Sequence, residues 1–581
     1  MDVEQELQLG LVAHRAGDLG QAVRHYRAVL SHDGDNADAL NLMSVIAMQA
    51  GDMSTAVTLA ARATMLRPDW FGGWISLGNA LQAQGRQAEA VDAFQKAVTL
   101  SPSSCEAYGN LASALNQLGR FEQAADAAVQ AIVINGGMAE AHINFGNALL
   151  GMNSPGEALE AFQKALGLQP ENVAAWCNVG IAQAALGEYA GAVAACDRAI
   201  VLGDLAEAHY CRGGALLAQG RLEDARVAFA AVVQRAPDHL DAYNNLAVTL
   251  ERMGRLDEAV AVLRDAIASA PEDFDLHLNL AFVLLRSGQY EEGWREYEWR
   301  WGAAHFRRFH RSFPMPLWHG EDLAGKSILI HAEQGYGDAL QFCRYAPLLA
   351  ARGATVTLEC RKDLSRLFAT MAGIAVLDHG APLDGFDYVI PLMSLPFCFG
   401  TTLETVPASI PYLSVPADAR GFPDIAAAQG LKVGFVWSGS GTRGDNSSRS
   451  CAAGDFAPLL AVPGCRFFSL QKGKADSSTL DSRLFTDIAP QLGDFADTAA
   501  AIAALDLVIT VDTAVAHLAG ALGKPVWVLL SRPSNAFLWM EGGTDSPWYP
   551  TVRLFRQPVA GDWAGLFAAV RQELLVLAHA A

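Results

Sequence analysis

The first half of the chain repeats itself about every 34 residues, and self-similarity at that period leaves few folds open. One copy reads Trp74, Leu77-Gly78, Leu81, Gly85, Ala90, Phe94, Ala97, Pro102. The same order of large, small and turn residues returns at Tyr108, Leu111-Ala112, Gly119, Ala124 and Ala131, then at His142, Phe145-Gly146, Ala158, Phe162, Ala165 and Pro170. It recurs nine times between Leu9 and Tyr297, the first copy being the weakest. A unit this short cannot enclose a core alone, so neighbouring units must stack. The small residues let two antiparallel helices approach closely within each unit. The expected product is a superhelix with a concave face.

The remaining length requires at least one further domain, since 581 residues exceed what a single core supports. Half the residues are hydrophobic, so both parts can bury real cores. A net charge of −20 argues against nucleic-acid binding, which needs a basic face. The nine cysteines are scattered without C-x-x-C spacing and read as reduced thiols of a cytoplasmic protein. The opening Met1-Asp-Val-Glu4 lacks a basic stretch followed by an apolar one, and no run approaches membrane-spanning length. No membrane insertion is expected.

The repeat pattern resembles the tetratricopeptide repeat. Asn110, Asn144, Asn178, Asn245 and Asn279 each stand one residue before the Leu-Gly-type pair. In such a repeat that place lies on the first helix and faces the groove. Asparagine there either keeps the inner face solvated or builds a ladder whose amides hold an extended peptide, offering donor and acceptor together. The arrangement resembles the superhelix of O-GlcNAc transferase, which implies a protein acceptor in the groove.

The last repeat passes into Gly293-Trp294, Tyr297-Glu298-Trp299-Arg300-Trp301, aromatics dense enough to seal the repeats onto the next domain. The proline-containing Phe313 to Gly320 cannot continue a helix. Strand-like runs then alternate with helical ones: Ser327–His331, Thr355–Glu359, Ile374–Asp378, Asp387–Pro391, and after a proline-rich loop Lys432–Trp437 and Cys465–Leu470. Asp506 to Val528 reads as strand, small-residue helix, strand, with Asp512-Thr513 at the first strand's end. Parallel sheets bind ligands at that end of a strand, and helix N-termini favour phosphate. The expected fold class is α + α/β: a repeat superhelix over 1–307, a junction over 308–322, and two Rossmann-like units in GT-B arrangement. These are 323–420 on the acceptor side and 421–581 on the nucleotide-sugar side, the last helix from Trp563 to Leu577 crossing back to the first unit.

Gly337-Asp338, Asp512-Thr513 with His517-Leu518-Ala519, and Leu522-Gly523-Lys524-Pro525 resemble the heptosyltransferase family. Repeats fused to such a domain resemble bacterial fusion glycosyltransferases, among them flagellin glycosyltransferases that place nonulosonic sugars such as pseudaminic acid on Ser or Thr. The resemblance implies transfer of a sugar from a nucleotide-sugar donor to a protein, with flagellin the favoured acceptor. It makes Asp338 the general base, against the plainer reading of a helix N-cap. Asp512 would meet donor hydroxyls, and Thr513 and Ala514 the phosphate; an N-cap is the plainer reading here too. His517 either touches the donor or packs. Lys472 and Arg449 would neutralise the leaving phosphate, or are ordinary surface charges. The family usually carries Asp-Thr-Gly where this chain has Ala514, and the added methyl narrows backbone approach to a phosphate.

Two patterns are decoys. Gly439-Ser-Gly441-Thr-Arg-Gly444 matches a dinucleotide fingerprint, but no helix opens on it. Asp33-Gly-Asp35 resembles a metal-binding Asp-x-Asp but lies in a repeat turn. With no carboxylate cluster in the second half, the expectation is no cofactor and no metal, a helix dipole and protein cations standing in. Two other readings remain open: a scaffold with a degenerate cleft, and transfer to a lipid or saccharide.

Overall fold

The computed structural model describes residues 2–439, 449–473, 478–532 and 537–580. The decoy glycine pattern from residue 440 onward, and Asn446 to Ser448, lie outside them. Nine helix pairs run from Val3–Arg15 and Leu19–His32 to Phe274–Arg286 and Tyr290–Tyr297. Two compact units result, Met1–Thr249 and Leu250–Ala581.

The first unit shows why the repeat pattern has its order. A Cβ on Gly78 would stand 2.4 Å from the Phe94 ring, and Gly146 with Phe162 and Gly10 with Tyr26 repeat that fit. In these repeats the glycine of the first helix receives the aromatic ring of the second. The turn between them needs a left-handed residue, supplied by Gly85 (φ +81°) and Gly119 (φ +72°). Where glycine is missing, Asn153 takes φ +61°, a conformation that asparagine tolerates best among residues with a side chain.

In the second unit the last repeat helices end in a buried aromatic block. Trp294 is 1% exposed and meets Tyr297, Phe342 and Trp548 edge-on. The Trp548 Nε1–H donates to the Tyr290 hydroxyl at 3.0 Å. Each such aromatic contributes about 1.5–3 kcal/mol through burial. Arg300, on the 3-10 turn Glu298–Trp301, is fully buried between the rings of Tyr297 and Trp301. It donates to Glu298 at 2.6 Å and to the Ser394 hydroxyl at 2.7 Å, and faces Glu333 at 3.4 Å. Glu333 in turn accepts the backbone N–H groups of Leu392 and Met393.

The rest of this unit is built on two parallel sheets. The first holds β1 (Ser327–His331), β2 (Thr355–Cys360), β3 (Ile374–Asp378) and β4 (Tyr388–Pro391) in the order β3-β2-β1-β4. The second holds β5 (Leu431–Val436), β6 (Cys465–Ser469), β7 (Phe485–Asp487), β8 (Leu507–Val511), β9 (Val526–Leu530) and β10 (Val552–Arg556) in the order β10-β9-β8-β5-β6-β7. That is the doubly wound Rossmann order, reversing between β5 and β8. The fold class is thus α + α/β, repeat helices followed by two parallel-sheet units, as a GT-B chain requires.

The terminal helix departs from expectation. Trp563–Ala580 packs Leu566, Phe567, Val570 and Leu574 against Val433, Phe435 and Phe456, inside the core of the second sheet's own unit. Its apolar stripe finds an uncovered sheet face there, so it does not cross back to the first.

On the first sheet, the carboxyl ends of adjacent strands bring together His331, Glu359 and His379, with ligand-capable atoms within 4.8 Å of one another. The carboxylate oxygens of Glu359 are engaged by His331 at 2.6 Å and Arg311 at 2.7 Å. Burial pushes the Glu359 carboxyl up, but these two partners outweigh it and hold the group at about 2. A depressed folded pKa gives stability that is full above the unfolded value and lost as pH falls through the folded one. Glu359→Gln is therefore expected to destabilise by about 2–3 kcal/mol at neutral pH. The deficit should shrink between the usual glutamate range and pH 2, measured by urea midpoints across that range.

Candidate active site

A cavity of about 900 Å³ opens between the carboxyl ends of the two sheets, all within the second unit. On one wall, β1 runs into the turn Gln334-Gly335-Tyr336-Gly337-Asp338, and a helix begins at Tyr336. On the other wall, β8 runs into Asp512-Thr513 and the helix Ala514–Ala521. The two helices meet closely. A Cβ on Gly337 would lie 3.0 Å from His517 Cδ2 and 3.9 Å from Ala514 Cα, so glycine sets how near the walls come.

The residues expected from sequence to form the transfer site line this one cavity: Asp338, Lys472, Arg449, Asp512, Thr513, Ala514 and His517. Asp338 is not the N-cap, which is Gly335, but the third residue of the helix, and its carboxylate reaches back to accept the Gly335 N–H at 3.0 Å. Thr513 precedes the helix with extended backbone and makes no side-chain cap; its hydroxyl pairs with Thr510 at 3.0 Å. First-turn N–H groups without a side-chain cap carry the positive end of the helix dipole. Lys472 is exposed, and its ammonium donates to the Gly493 carbonyl at 3.1 Å. Arg449 faces Asp512 at 3.8 Å, and its buried Nε finds no acceptor among the described residues. Asp494 caps the helix Phe495–Ala503, accepting from Asp497 N at 3.0 Å.

His517 both packs and lines the cavity. Its Nδ1 lies 3.1 Å from the Tyr549 hydroxyl, and its ring stacks on Trp539 at 5.1 Å. Burial lowers its pKa; Asp512 and Asp338 pull the other way without reversing it. A neutral imidazole is therefore its resting form at neutral pH.

Three neighbours of these residues have no place in the sequence motifs. Trp539 donates its indole N–H to Asp512 Oδ1 at 2.8 Å, fixing that carboxylate from 27 residues away. Gln471 ties the ends of β5 and β6 together, accepting from Trp437 N and Ser438 N and donating to the Ser438 carbonyl. Arg361, after β2, lies over the Tyr336 ring at 4.8 Å. Of the three, only Gln471 has a local signal, being a polar residue directly after a buried strand.

The repeat asparagines are half-buried, and four have amide N–H donors engaged with the preceding repeat. Asn110 donates to Asn79 Oδ1 at 3.1 Å and Asn178 to Asn147 Oδ1 at 2.9 Å. Asn144 donates to the Gly109 carbonyl at 3.0 Å and Asn245 to the Tyr210 hydroxyl at 2.9 Å. Asn279 lies in the second unit, on Phe274–Arg286.

Residues 472–537 match the glycosyltransferase family 9 (heptosyltransferase) family, a span holding Lys472 and Asp512 to His517. Residues 13–73, 216–273 and 252–293 match one tetratricopeptide repeat family, and 75–139 and 143–209 another. The chain is 30% identical over 303 residues to Protein FlbA of Caulobacter vibrioides, covering 47% of this chain and 50% of that one. It thus spans about half the length of that relative. Over 93 residues it is 32% identical to DnaJ homolog subfamily C member 3 of Rattus norvegicus, covering 16% of this chain and 18% of the other. A tetratricopeptide repeat protein from Parabacteroides merdae superposes with TM-score 0.38 at 16% identity, over 43% of this chain and 98% of that one. Among the described residues, no helix is long and apolar enough to cross a membrane. With repeats before it and this cleft behind, the chain is a fusion of tetratricopeptide repeats to a glycosyltransferase family 9 domain.

Proposed function

We propose that the chain is a cytoplasmic protein O-glycosyltransferase that moves a nonulosonic acid from a nucleotide-activated donor to Ser or Thr of an acceptor protein, flagellin being favoured. The observation that carries it is Asp338 on one cavity wall opposite Asp512, Arg449, Lys472 and an uncapped helix start on the other. In this reading the acceptor hydroxyl gives its proton to Asp338 as its oxygen bonds the anomeric carbon. The bond from that carbon to the donor phosphate breaks, and the electron pair leaves with the phosphate. Arg449, Lys472 and the first N–H groups of Ala514–Ala521 offset that charge, so the step needs no metal ion. Residues 323–420 would serve the acceptor and 421–581 the nucleotide, with the repeats of 1–307 presenting the protein. The asparagines support peptide capture through the hydrogen-bonding capacity that remains beyond their contacts between repeats.

Intact-mass analysis of the source cell's proteins tests this, comparing wild type with a deletion of the chain. Flagellin is expected to lose a discrete acidic-sugar mass in the deletion. Identical protein masses would sink the reading and favour a scaffold or a lipid or saccharide acceptor.

A further inference from the structure

The cavity carries cations on both walls, interleaved with the carboxylates of Asp338, Asp363, Asp494 and Asp512. Arg449 and Lys472 stand on the second wall, and Arg361 and Arg308 line the cavity from the first. Neither Arg361 nor Arg308 forms an ion pair with a carboxylate among the described residues. Each lies on an aromatic ring instead, Arg361 on Tyr336 at 4.8 Å and Arg308 on Phe309 at 4.7 Å. Of the two acids two residues from Arg361, Asp363 accepts the Tyr336 hydroxyl at 2.6 Å and Glu359 is engaged by His331 and Arg311. A guanidinium backed by a ring keeps its N–H edges for a planar anion, and carboxylate fits that fork. Two such arginines on one wall, each on a ring and without a carboxylate partner among the described residues, can receive an anionic group of a ligand.

The placement of Arg361 is specific. It donates to the Gln334 carbonyl at 3.2 Å, while Asp338 accepts the Gly335 N–H at 3.0 Å. These are the oppositely directed ends of one trans peptide group, so a rigid plane holds the cation on one side and the carboxylate on the other. We propose that Arg361, supported by Arg308 at the rim, receives the carboxylate of an acidic donor sugar, and so determines donor specificity; this rests on the proposed transfer reaction. In a nonulosonic acid the carboxylate is borne by the reacting anomeric carbon itself. Its receptor must then lie in the same cavity as the base, and Arg361 does. A neutral sugar places no charge there.

The test is calorimetric titration of the full chain and of Arg361→Gln with CMP, CMP-N-acetylneuraminate and UDP-N-acetylglucosamine. Wild type is expected to bind the acidic sugar nucleotide about tenfold more tightly than CMP. Arg361→Gln should lose that advantage while its affinity for CMP stays unchanged, which also reports an intact fold. Arg361→Lys should recover only part, having charge without the fork. An advantage that survives in Arg361→Gln overturns the assignment. So does wild type binding CMP and the acidic donor equally, the result expected if the carboxylate belongs to the acceptor. Binding of UDP-N-acetylglucosamine with no response to either CMP ligand overturns the acidic-donor reading itself.

Discussion

Asp338→Asn is expected to lower sugar transfer by about 10²–10⁴-fold while leaving the unfolding midpoint in place. The two roles open to this carboxylate differ in what they require. The capping contact needs only an acceptor oxygen for the Gly335 N–H, which lies 3.0 Å away, and an asparagine carbonyl supplies one. A base needs a group that takes and holds a proton, which an amide does not. Asp338→Ala loses both and should in addition destabilise by about 1 kcal/mol. Initial rates and thermal midpoints of both variants separate the cases. Undiminished transfer in Asp338→Asn would leave this residue the capping contact alone and move the base elsewhere in the cavity.

The largest effect on stability is expected at Arg300. Its guanidinium is fully buried, lies between Tyr297 and Trp301, and meets Glu298, Glu333 and Ser394. Burial alone would lower its pKa, but Glu298 and Glu333 outweigh that and keep it charged. Arg300→Ala leaves the buried Glu333 carboxylate without its cation, a change that costs about 3–5 kcal/mol. Tryptophan fluorescence should show a fall in the thermal midpoint on the order of 10 °C. The damage should also reach the cavity, because the same block holds the stretch before Asp338. The Gln334 amide donates to the Tyr297 hydroxyl at 2.8 Å, and Glu333 accepts from Leu392 and Met393. A midpoint unchanged by Arg300→Ala would mean that water enters the site.

Legibility in the sequence goes with local period. Strands β1 and β3 fall on the expected residues because each is a short apolar run bounded by polar turns. β7 and β10 carry no such signal. β7 is three residues long with two exposed, and β10 carries Arg553 and Arg556, so neither shows a continuous apolar run. The helical stretch after β1 is broken in two, Tyr336–Phe342 and Ala346–Ala351, joined by a 3-10 turn. Pro347 sits at the start of the second, where its missing N–H costs nothing. In the site, Asp338 and Asp512 announce themselves by standing at strand ends. Trp539 and Arg361 do not, because each meets its partner through the fold and no spacing encodes that encounter.

The division between compact units falls at residue 249, well before the helical pattern ends at Tyr297. The helices Leu256–Ser269, Phe274–Arg286 and Tyr290–Tyr297 look like repeats but belong to the body that contains the cleft. One periodic stretch thus answers to two different packing constraints. Upstream, duplication or loss of a whole unit changes only the number of like neighbours, and selection can lengthen or trim the array freely. In the last pair, Tyr290, Trp294 and Tyr297 also meet Trp548, Phe342 and Gln334. That pair should drift together with the transferase and stay fixed while the array before it turns over.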